Sequence, residues 1–99
     1  FNDKMNQEVL GLYNVVVEFV EWNGSFIANN IKPMTDKDLD KSIEYEKEID
    51  DIRNKLLDSS RDRLSEGSTP KAELLFMDII KHLEHIGDFS LNISQALEI

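Results

Sequence analysis

Two stop signals divide this chain into three long segments whose apolar residues recur at helical spacing, and little else in it interrupts a helix. Lys32-Pro33 is the first, because the residue before a proline is pushed out of the helical region. Gly67-Ser68-Thr69-Pro70 is the second, with Gly67 as a C-terminal stop, Thr69 as N-cap and Pro70 at the first helical position. Before the first stop, Met5, Val9, Leu12, Val16, Phe19, Val20, Phe26, Ile27 and Ile31 recur at three- and four-residue steps. The spacing predicts a helix over 3–31, weakened at Asn23-Gly24-Ser25, with Trp22 as a core or bundle-edge anchor. Thr35 followed by Asp38 predicts a capped start to a second helix over 35–66, whose end Arg61 and Arg63 complement electrostatically. The third runs over 70–97. Three segments of nearly thirty residues, each roughly 40 Å long and joined by short connections, predict an all-α antiparallel three-helix bundle.

Composition limits what such a bundle does. The net charge of −9 on 99 residues disfavours nucleic acid and anionic membrane surfaces, which are polyanions. Cysteine is absent, so disulfides and thiolate metal sites are excluded. The longest apolar run, Val15-Val16-Val17, is far short of a membrane span. A bundle this slender gains from packing against a second copy or a neighbouring domain. The chain contains no zinc-protease motif, phosphate-cradling glycine loop or nucleophile elbow.

Polar chemistry concentrates on two rows. In the third helix Glu84, Asp88 and Asn92 fall on one slanting line, opposite an apolar arc of Leu75, Ile79, Leu83, Ile86, Ile93 and Leu97 suited to packing. Gly87 sits mid-helix at a cost of about 1 kcal/mol against alanine, which calls for a close backbone approach or room for a ligand. In the second helix Tyr45, Ile49, Ile52 and Leu56 form one apolar stripe. Leu39, Ile43 and Leu57 form another, and there Glu46 and Asp50 intrude. Two helices that each offer a carboxylate pair can supply the oxygen ligands a hard cation requires. Asp50 also reaches Arg53 one turn on, and the second helix is so acidic that other acids fall four apart. Spacing alone therefore fits a solvated acidic face as well as a cation site. His85 is a further candidate ligand beside Asp88, and His82 lies toward the apolar boundary.

Glu46-Lys47-Glu48-Ile49-Asp50, and Leu83-Glu84-His85-Ile86-Gly87-Asp88 followed by Asn92-Ile93, resemble the PhoU family. Arg63-Leu64-Ser65-Glu66-Gly67 and Pro70 resemble the PhoU-type domain at the cytoplasmic end of bacterial sodium/phosphate cotransporters. The resemblance spans residues 43–93 and is thin over the first helix.

It implies a single three-helix unit of a kind that stand-alone members carry twice. It also implies a non-enzymatic, regulatory role in phosphate uptake. Glu46 and Asp50 match one acidic signature and Glu84 and Asp88 the other, with His85 and Asn92 as additions. In some members such signatures hold metal, so iron, zinc, magnesium or a similar cation is an expected cofactor. The expected partners are the membrane domain of a phosphate transporter, or the chain's own full-length form, and a second copy. The expected location is the cytoplasmic side of a bacterial inner membrane, as a piece of a larger membrane protein. His82 and Phe89 depart from the family pattern. Two other readings are a phosphotransfer bundle using His82 or His85 and a purely structural interaction bundle.

Overall fold

A computed structural model describes residues 2–28 and 30–98. It contains three helices, α1 (Asp3–Ser25), α2 (Asp36–Ser65) and α3 (Pro70–Leu97), in a bundle 51 × 21 × 16 Å. The chain runs up, down and up, so α1 and α3 are parallel and α2 opposes both. Glu8, Arg63 and Glu73 meet at one end, and Asn23 meets Ser90 and Ser94 at the other.

Local signals set the ends of α2. Thr35 accepts from the Asp38 backbone N–H while the Asp38 carboxylate accepts from the Thr35 N–H, a reciprocal cap. Gly67 closes the helix at φ +98°, a left-handed conformation that glycine adopts without strain. Pro70 starts α3, although the Thr69 side chain makes no capping bond.

α1 ends at Ser25 and does not continue to residue 31. The Asn23 side chain is buried, donating from Nδ2 to the Ser90 carbonyl (2.7 Å) and accepting from Ser94 Oγ (2.6 Å). Past it the chain turns, burying Phe26 and then Met34, whose N–H donates to the Leu97 carbonyl at 2.8 Å. Of the apolar residues that keep helical spacing beyond Ser25, Phe26 is buried, whereas Ile27 and Ile31 are exposed.

The core is a column of Met5, Leu12, Val16 and Phe19 from α1, Tyr45, Ile49 and Leu56 from α2, and Phe76 and Ile80 from α3. Phe19 stacks on Tyr45 at 4.9 Å between ring centroids. Trp22 is a bundle-edge anchor, half-buried against Tyr45 and Phe26. The apolar arc on α3 is not its packing face. Leu75, Ile86 and Ile93 are exposed, and the buried line is Glu73, Phe76, Ile80, Gly87, Ser90 and Ser94. Small residues in its upper half let the other helices approach, and Asn23 bonds the Ser94 hydroxyl and the Ser90 carbonyl there. The arc touches the core at its edge, through half-buried Leu83.

Candidate functional site

Glu46 and Asp50 on α2 face Glu84 and Asp88 on α3 along the seam between the two helices. Gly87 allows this closeness. A Cβ there would lie 2.9 Å from Ile49 Cδ1 and 3.5 Å from Glu46 Oε2, so the mid-helix glycine marks a close approach of α2 to α3. Ile49 is fully buried at this crossing.

Four carboxylates cannot share such a seam fully charged, and two devices relieve the repulsion. Arg53 is one: its Nη1 donates to Glu84 Oε2 across the seam and lies 3.6 Å from Asp50 Oδ1 on its own helix. A proton on Glu46 is the other. Burial, then a hydrogen bond with Asp88, then the charges of Asp50, Asp88 and Glu84 push the Glu46 carboxyl up to about 8. As a carboxylate, Glu46 leaves Oε2 buried and without a hydrogen-bond partner; protonated, it has Asp88 to donate to. Burial also raises Asp50, an effect Arg53 opposes and the Glu84 and Asp88 charges reinforce.

His85 and Asn92 are exposed. His85 packs edge-on against His82 at 6.5 Å between ring centroids. As a metal centre the seam is incomplete. Among the described residues, no three His, Asp or Glu side chains converge as a ligand set, and Arg53 already supplies a positive charge. The orphaned Glu46 oxygen is the one feature that suits an added cation. Below the acids, a groove of about 440 Å³ runs between α2 and α3, sharing Arg53 and Glu84 and floored by Leu57, Met77 and Ile80.

Arg63 plays a part beyond the helix-dipole role its position suggests. It turns inward, donating from Nε to Glu73 Oε1 (3.0 Å) and from Nη1 to Glu8 Oε1 (2.6 Å), with its guanidinium over the Phe76 ring. Ser60 and Ser68 also donate to Glu73, and Arg63 with these hydroxyls holds its carboxyl down at about 2. This network ties all three helices together at the end opposite Asn23. Glu73 follows Pro70 by three residues, the first-turn position where an acid ordinarily serves the helix dipole, so its burial carries no signal in the sequence.

The PhoU domain family model matches residues 26–97. The chain belongs to the PhoU domain family. The match takes in α2, α3 and their connection, and so every acid of the seam; α1 lies before it. No curated protein and no solved structure matches the chain. PhoU domains are regulatory helical units of phosphate homeostasis, which agrees with the three helices described here. No helix of this PhoU domain, among the described residues, is long and apolar enough to cross a membrane.

Proposed function

We propose that this PhoU domain is the non-enzymatic regulatory part of a phosphate-uptake protein of the sodium/phosphate cotransporter kind, acting on the cytoplasmic side of the membrane. The observation that carries the reading is the seam of Glu46, Asp50, Glu84 and Asp88, where the packing of α2 on α3 depends on charge balance. A seam of this type converts a change in bound protons or cations into a change in helix packing. Nothing in it resembles an activated nucleophile, and with no basic cluster beside it phosphate is a poor direct ligand.

The metal reading is proposed in a restricted form. Glu46, Asp50 and Asp88 offer oxygens along the seam without converging as a ligand set, so a divalent cation would be held loosely once the Glu46 proton leaves, with Arg53 competing for the same charge. Weak binding that strengthens with rising pH is the result.

The regulatory reading is tested by phosphate uptake in cells carrying the full-length protein with and without this segment. Transport that persists but no longer responds to external phosphate supports it. Unchanged regulation without the segment contradicts it.

A further inference from the structure

α1 and α2 enclose a notch that shares no residue with the acid seam. Tyr45 forms its floor, Glu18 of α1 and Lys41, Glu44 and Glu48 of α2 form its sides, and its volume is about 220 Å³. Tyr45 is 9% exposed, its ring stacked on Phe19 and tilted against Trp22 at 5.8 Å between centroids. Its hydroxyl end opens into the notch and makes no hydrogen bond among the described residues. A tyrosine buried this deeply ordinarily gives its hydroxyl a partner. Burial, then the charges of Glu18 and Glu48, raise this hydroxyl, so it stays protonated. Lys41 places its ammonium over the faces of Trp22 (5.4 Å) and Tyr45 (5.8 Å). Among the described residues it forms no ion pair with any of the three glutamates.

We propose that this notch binds a linear alkyl diamine or polyamine, whose ammonium lies over the Tyr45 and Trp22 rings and donates to the Tyr45 hydroxyl oxygen and the glutamates. Three properties select that chemistry. The Lys41 ammonium already rests on the two ring faces, so the aromatic surface accepts a group of this kind. Three carboxylates against one ammonium leave two negative charges unmatched. Those carboxylates are also spread out, with Glu44 and Glu48 one turn apart on α2 and Glu18 across on α1. Among the described residues no three acids converge as a metal ion requires. Spread acids suit a cation that carries its charges at intervals along an alkyl chain. A volume of about 220 Å³ is below that of a drug-sized pocket and in scale with a short amine. Lys41, exposed and on a flexible stem, gives way to the incoming ammonium. The net charge of −9 draws such polycations from a distance.

Titration of Trp22 fluorescence with 1,4-diaminobutane and with spermidine is the test, since Trp22 is the one tryptophan of the chain. Circular dichroism checks the folding of each variant. Saturable binding is expected in low salt, with half-saturation at about 1 mM from a few exposed ion pairs and one cation–π contact. Glu18→Gln and Glu48→Gln should each weaken it about 3-fold. Tyr45→Phe keeps the ring, loses the hydroxyl and should weaken it by about the same factor. Lys41→Met removes the resident ammonium and should tighten it about 3-fold. Asp62→Asn removes an exposed acid near the end of α2 and should leave the affinity unchanged. Absence of a saturable change overturns the proposal, as does full affinity in both glutamate variants or an equal loss in Asp62→Asn. Magnesium that displaces the diamine at equal charge concentration overturns it too, as does a lysine-containing peptide that binds where the free diamine does not.

Discussion

Gly87 on α3 and Ile49 on α2 set the distance between their helices: a Cβ on the glycine would stand 2.9 Å from the isoleucine's terminal methyl. The contact is with the flexible end of a side chain, so one methyl is accommodated by a small shift of Ile49. Gly87→Ala is expected to fall within about 1 kcal/mol of the native stability, the gain in helix propensity offsetting the crowding. Gly87→Leu has no such space and is expected to cost about 2 kcal/mol or more by overpacking. Urea unfolding of the two variants measures the difference.

Stability should fall as pH rises from about 4.5 toward 8. The folded Glu46 carboxyl sits near 8 against an unfolded value of 4.5, so between these values the folded chain binds more protons than the unfolded one. Its contribution is complete at low pH and is lost as pH climbs through the folded value. Partial exposure and solvent screening reduce the effect to roughly 1–2 kcal/mol. Glu46→Gln keeps the hydrogen bond without the charge, and its unfolding free energy should lose most of this slope.

Glu73 acts in the opposite direction. Its carboxyl, fully buried and held near 2, contributes stability that is present above the unfolded value of 4.5 and lost as pH falls toward 2. The two groups together place maximum stability near pH 5. Glu73→Gln leaves the Arg63 guanidinium buried with only Glu8 for a counter-charge, and a loss of about 3 kcal/mol at neutral pH is expected. A melting series across pH checks both the optimum and the variant.

Arg53→Met removes the cation that bridges Glu84 and Asp50. The variant should melt lower than the native chain at pH 8 and recover more on addition of magnesium or zinc. Calorimetric scans with metal and with chelator test this. Equal responses of the two proteins would remove Arg53 as the competitor for a metal ion.

Much of the fold was legible because its signals are local. Thr35 with Asp38, Gly67 and Pro70 each specify a helix end through the backbone geometry or hydrogen bonds of a few residues. The end of α1 was not, because Phe26 and Ile27 continue the helical rhythm while a long-range event, the burial of Asn23 against Ser90 and Ser94, ends the helix at Ser25. The buried side of α3 was misread for a related reason. Its apolar arc is wider than the arc it buries, and Gly87, Ser90 and Ser94 pack by being small. Pairing Glu46 and Asp50 with Glu84 and Asp88 was legible from an interrupted stripe and a misplaced glycine. Arg53 as their cross-seam partner, and Arg63 as the anchor of the far end, were not, since a long side chain on a helix surface does not announce its direction.

The account of the seam depends on the acids of α2 and α3 meeting there and on Glu46 holding a proton. Carbon-detected NMR titration of the Glu46 side-chain carboxyl reads that proton directly. A midpoint near 8, moving down when Asp88 is changed to Asn, is the predicted result. A midpoint near 4.5, indistinguishable from a solvated surface glutamate, would contradict the account.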